Sequence, residues 1–119
     1  MGLAHLADRL GAIFQRYPPE SKECVACARE VQRLLRSGGI VAEVVCVTHA
    51  LLGRYFYTRD SVCFAETGFH VTVKVNDLLV DALTGPAGKL QQEYYTLWRD
   101  IEPNELIFTP MEIRDAPSD

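Results

Sequence analysis

The sequence lacks the apolar run that a membrane span requires: no stretch of its 119 residues approaches the ~20 consecutive apolar residues needed to cross a bilayer. The opening Met1 to Leu10 carries Asp8 and Arg9 and no extended apolar segment, so it does not read as a secretory signal. Leu6 stands where N-myristoylation wants Ser or Thr. An excess of basic charge is missing as well: 12 Lys and Arg against 16 Asp and Glu leave a net charge of -4. That argues against a nucleic-acid partner, which demands a surface able to neutralise phosphates. Lys22, Arg29, Arg33 and Arg36 do recur along one predicted helix, and a solvated helix face accounts for them. Cysteine is sparse, with four residues at positions 24, 27, 46 and 63. Without a secretory signal, reduced thiols fit better than a disulfide framework, and the setting expected is cytoplasmic. No second CxxC and no HxxxH accompanies Cys24-Val25-Ala26-Cys27, so a zinc pattern is incomplete and no metal or cofactor is called for.

What is present suffices for one core. A hydrophobic fraction of 48% and a charged fraction of 24% are those of an ordinary globular domain. Residues 1–115 read as a single domain, with Ala116-Pro117-Ser118-Asp119 as a flexible tail. No internal repeat, low-complexity run or interdomain linker is visible. Leu3, Leu6, Ala7, Leu10, Ile13 and Phe14 recur at helical spacing and predict a helix over 3–16, stopped by Tyr17-Pro18-Pro19. Ser21 is the expected N-cap of a second helix, which runs to about Arg36 and ends at Gly38-Gly39. The β-branched stretch 40–47 predicts a buried strand, 51–60 a loop, and 61–65 a short strand.

Phe69 to Val75 alternates with period two: Phe69, Val71, Val73 and Val75 face one way, His70, Thr72 and Lys74 the other. Asn76-Asp77 predicts a tight hairpin into a strand over 78–83, since Asn tolerates positive φ. A loop over 84–88, a short helix over 89–100 and a last edge strand over 106–113 complete an α+β chain. The two-residue turn pairs Val75 with Leu78, and by extension Thr72 with Asp81 and His70 with Leu83. Asp81 then becomes a diagonal neighbour of His70 on the same face, at ~7–8 Å between Cα atoms. A one-residue slip would turn every side chain of one strand to the other face.

A histidine beside a carboxylate is the arrangement that orients a catalytic imidazole. The nucleophile expected to meet it is Cys24. With Ser21 as N-cap it falls at N3, where free backbone N–H groups and the helix dipole favour a thiolate. The same N–H groups suit a developing oxyanion. Cys27, one turn deeper, is the rival nucleophile. Gln15 is a candidate oxyanion-hole amide, but nothing in the sequence places it there. Cys46 and Cys63 read as packed strand cysteines. His5 lies near a terminus, and His49, at a strand end, is a weaker alternative to His70.

The string of motifs Cys24-Val25-Ala26-Cys27-Ala28, Leu34-Leu35, Gly39-Ile40, Gly68-Phe69-His70-Val71, Val80-Asp81, Gly85-Pro86-Ala87-Gly88 and Trp98 resembles the papain-fold toxin domains of bacterial polymorphic toxin systems, in particular the short group called papain fold toxin 2. The resemblance covers roughly residues 10–100. It implies a reduced papain-like fold, with N-terminal helices packed on an antiparallel sheet, and a triad of Cys24, His70 and Asp81. Family sequences often carry Asn after the acid, where this chain has Ala82. The resemblance further implies a toxin-type effector with a protein substrate and a cognate immunity protein. Because the chain begins with Met1 and shows no delivery domain, a free-standing form is expected, acting or stored in the cytoplasm, with any export left to a specialised system.

Three functional classes follow. The first is a cysteine hydrolase of protease or glutamine/asparagine deamidase type, working through a thioester. The second is a non-catalytic module that binds a protein through Tyr55, Phe56, Tyr57, Tyr94, Tyr95 and Trp98, residues that can equally complete a core. The third is metal or redox chemistry at the CxxC, which lacks the βαβ context of thioredoxin-like proteins.

Overall fold

The computed structural model describes residues 3–50, 56–59, 64–65 and 69–112. The predicted tail, Ile113 of the last strand, Cys63 and most of the 51–63 stretch lie outside the described residues.

The first helix enters through a 3-10 turn, Leu3–Leu6, and continues as α1, Ala7–Arg16. It stops at Tyr17, whose N–H still donates to the Ile13 carbonyl at 2.9 Å, because the two prolines that follow cannot extend it. Those prolines lead a second 3-10 turn, Pro19–Ser21. Lys22 then takes a left-handed conformation (φ 62), and α2 spans Cys24–Ser37 with Glu23 as N-cap. Two sequence expectations are corrected here. Ser21 is consumed by the proline-led turn, and its Oγ accepts from the Glu23 N–H at 3.3 Å rather than capping the helix. Cys24 is therefore the first residue of α2, at N1 and not N3.

The far end of α2 closes as expected of a Gly-Gly pair. Gly39 adopts φ 81, the Ile40 N–H returns to the Leu35 carbonyl at 2.9 Å, and Ile40 packs on the core beside Leu35.

The strands are β1 (Glu43–His49), β2 (Phe56–Tyr57), β3 (Phe64–Ala65), β4 (Phe69–Val75), β5 (Leu78–Val80), β6 (Lys89–Leu90) and β7 (Leu106–Met111). Five of them form one antiparallel sheet in the order β6-β5-β4-β1-β7, and β2 pairs with β3. The predicted strand over 40–47 begins at Glu43 and runs to His49. The predicted helix over 89–100 is instead strand β6 followed by a 3-10 helix, Gln91–Leu97. The last strand does lie at a sheet edge.

The sheet is covered on both faces. α1 and α2 pack over Val44, Val71, Val73, Val75 and Val80, with Leu10, Ile13, Ala28, Val31 and Leu35 filling the layer between. On the other face Tyr94, Trp98 and Ile101 lie over Val47, Leu79 and Leu106. The alternation in β4 is thus real, yet its second face is buried too: Thr72 is fully enclosed and His70 is 6% exposed. The aromatic 3-10 segment makes the difference, because Tyr94 and Trp98 fold back over the side that period-two patterning leaves to polar residues. Among the described residues no helix is long and apolar enough to cross a membrane.

Candidate active site

The β4–β5 hairpin turns at Asn76, with φ 55, and pairs Val75 with Leu78 and Val73 with Val80, the register the two-residue turn predicts. The ladder ends there. The expected pairs Thr72–Asp81 and His70–Leu83 do not form, because the chain leaves the sheet at Asp81 in a tight turn. The Asp81 carboxylate drives that turn. Its Oδ1 accepts from the backbone N–H of Leu83 at 2.8 Å and of Thr84 at 3.1 Å. The Thr84 hydroxyl accepts from the Asp81 N–H at 3.0 Å, and the Asp81 carbonyl receives the Gly85 N–H at 3.0 Å.

With Oδ1 committed to the turn, Oδ2 faces the sheet. His70 Nε2 lies 3.6 Å from it. The Tyr94 hydroxyl donates to the same oxygen at 2.5 Å. Asp81 is 5% exposed. Burial works against its ionisation, but the adjacent His70 imidazole and the hydroxyls of Thr72 and Tyr94 hold its carboxyl below the ordinary range. Sequence reasoning thus places Asp81 beside His70 through a strand pairing, whereas in the structure it arrives from a turn. Tyr94 is a contributor that sequence reasoning reads only as core or contact aromatic. No local signal announces it, because the bond to Asp81 spans 13 residues through the 3-10 helix.

Cys24 comes from the opposite layer. Because β5 has already ended, the N-terminus of α2 meets the stretch of β4 holding His70 and Val71. Burial tends to raise the Cys24 thiol. A hydrogen bond with the His70 side chain, the charge of that imidazole, and backbone N–H donors from Val71 and from Cys24 itself outweigh burial and hold the thiol below its ordinary value. His70 turns Nε2 towards Asp81, which leaves Nδ1 for the thiol. The structure therefore brings Cys24, His70 and Asp81 together, in the order thiol, imidazole, carboxylate.

The other candidates diverge. Cys27 is buried against the core and its thiol is pushed up to about 12, first by burial and then by the negative charge of Asp81. It is a poorer nucleophile than Cys24. Cys46 is half-buried on β1, paired with Val71, and burial together with the proximity of Cys24 raises it as well. His49 is buried at the end of β1 with Nε2 3.7 Å from Glu105 Oε2, so it is engaged elsewhere. Gln15 and His5 are exposed on the N-terminal helical segments. Of the aromatics weighed as a contact surface, Tyr94 and Trp98 are core residues: each is fully buried, and Trp98 stands edge-on to His70 at 5.3 Å between ring centres.

Comparison with known proteins finds no match: no family model, no curated protein and no solved structure corresponds to this chain.

Proposed function

We propose that this protein is a papain-like cysteine hydrolase acting on amide bonds. The observation that carries the proposal is the contrast among the cysteines. Among the described cysteines, Cys24 is the one hydrogen-bonded to an imidazole and held below its ordinary value, while Cys27 and Cys46 are both raised. That imidazole is backed by a buried carboxylate. Depressed thiol, base and orienting acid are the groups an acyl-transfer nucleophile needs.

In this mechanism the Cys24 thiolate attacks the carbonyl carbon of the substrate amide. The tetrahedral oxyanion forms beside the N1 end of α2, where unsatisfied N–H groups point. His70, protonated, delivers its proton to the departing amine of a peptide or to the ammonia of a carboxamide. A thioester remains on Cys24. Water, deprotonated by His70, attacks the thioester carbonyl, and the C–S bond breaks to release the carboxylic acid and return the Cys24 thiolate beside protonated His70. Asp81 holds the imidazole in the tautomer that serves both steps. Peptide bonds or protein glutamine and asparagine side chains are the substrates this chemistry fits. The toxin-type role, and an immunity protein as partner, enter through the sequence resemblance.

An activated ester tests the chemistry before a substrate is known. Incubation with p-nitrophenyl acetate is expected to release a burst of p-nitrophenolate and to leave one acetyl group on Cys24, detectable by intact mass and peptide mapping. The adduct should then turn over in wild type and be absent in Cys24→Ala. Acetylation spread over lysines with no preference for Cys24 would overturn the proposal.

A further inference from the structure

Tyr94 is built into this site as firmly as the residues that the proposed mechanism uses. It lies on the 3-10 helix Gln91–Leu97, is fully buried, and has its ring set between Trp98 at 6.3 Å and Phe108 at 6.1 Å between centres. Its hydroxyl reaches Asp81 Oδ2 at 2.5 Å, and His70 Nε2 faces that same oxygen from 3.6 Å. The two contacts are unequal. A short O–H···O⁻ bond to a carboxylate is charge-assisted and strong, whereas 3.6 Å is too long for a good N–H···O bond. Tyr94 therefore makes the shorter contact with the carboxylate oxygen that His70 faces.

We propose that Tyr94 is a positioning residue of the Cys24–His70–Asp81 site, which restrains the charge Asp81 offers to His70 by holding the shared oxygen. The proposal rests on the triad reading above. Tyr94 is not needed to keep the carboxylate in place, since Oδ1 is fixed independently by the N–H groups of Leu83 and Thr84. Its hydroxyl draws negative charge away from the imidazole instead. Among the described residues, Cys24 and Cys27 from α2 and Cys46 from β1 are the further titratable groups near His70 and Asp81. Cys27 and Cys46 are raised and so stay neutral at neutral pH, which leaves the Asp81 carboxylate as the negative charge that Tyr94 and His70 share.

The sign follows. Removing the Tyr94 donor leaves more negative charge on Oδ2, which favours the imidazolium, so the titration point of His70 rises. Removing the carboxylate has the opposite effect. Isotope-edited NMR titration of the His70 ring reads both, independently of activity. Asp81→Asn is expected to lower the His70 titration point. Tyr94→Phe, which preserves the ring packing, is expected to raise it by about 0.5 or more. Tyr94→Phe added to Asp81→Asn should move it no further, because the effect passes through the carboxylate. Protein carrying fluorotyrosine, whose more acidic phenol is the stronger donor, should shift the opposite way from Tyr94→Phe.

A titration point unmoved or lowered by Tyr94→Phe would overturn the role. So would a shift that persists in the Asp81→Asn background. If Asp81→Asn itself leaves His70 unmoved, the triad reading fails, and that result is distinct from a failure of Tyr94 alone.

Discussion

His70 meets Asp81 through one carboxylate oxygen: Nε2 stands 3.6 Å from Oδ2, while Oδ1 is turned away onto the backbone N–H groups of Leu83 and Thr84. The acid is thus anchored from behind by the turn it begins. A loop that leaves the sheet one residue after Val80 becomes a rigid mount for a buried charge, and the strand it abandons is left free to meet the helix carrying Cys24.

Removing that anchor strands several donors at once. Asp81→Ala removes the carboxylate that accepts from the N–H groups of Leu83 and Thr84 and from the Tyr94 hydroxyl, and is expected to cost about 3 kcal/mol or more in denaturant unfolding. Asp81→Asn keeps an acceptor for the turn and should cost clearly less. A loss below about 1 kcal/mol for Asp81→Ala would contradict the anchoring role.

The acid limb of stability carries the same signature. Asp81 is held below its ordinary value, so its contribution is fully present above the unfolded carboxylate pKa of ~3.9 and is lost as pH falls through the lower folded value. Wild type should therefore lose stability more steeply than Asp81→Asn below about pH 4, as followed by thermal unfolding. Parallel acid limbs in the two proteins would show that the carboxylate is not ionised in the fold.

Cys27 predicts the opposite limb. Its thiol is raised from 9.0 to about 12, so the neutral form stabilises the fold below pH 9.0 and that contribution fades as pH climbs from 9.0 towards about 12. Thermal unfolding over this window should fall less steeply in Cys27→Ala than in wild type. Equal slopes would mean that Cys27 is not buried as a neutral thiol.

Trp98 joins packing to chemistry. It is fully buried and edge-on to His70, so Trp98→Ala is expected to cost about 3–5 kcal/mol by denaturant unfolding. Trp98→Phe retains a ring against the imidazole and should cost less. If Trp98→Ala folds with near-native stability, the aromatic layer does not close the second face of the sheet.

The sequence carries the hairpin clearly. Valine alternation and Asn76 define the register from Val75–Leu78 to Val73–Val80, but the ladder stops before Asp81, which reaches His70 from the turn that follows. Three features are hidden for physical reasons. The start of α2 depends on the left-handed Lys22, a conformation imposed by the proline turn before it and foreign to the usual behaviour of lysine. The burial of His70 and Thr72 depends on aromatics more than 20 residues away, beyond any local period. The bond from Tyr94 to Asp81 is tertiary and leaves no trace in spacing.

The central claim is that His70 holds the Cys24 thiol below its ordinary value. Limiting iodoacetamide near pH 6, where an ordinary thiol of pKa ~8.5 is almost entirely protonated, followed by peptide mapping, tests it most directly. Wild type is predicted to be labelled at Cys24 ahead of Cys27 and Cys46, and labelling of Cys24 in His70→Ala is predicted to slow by about tenfold or more. Labelling without preference among the cysteines, or an undiminished Cys24 rate in His70→Ala, would contradict the account.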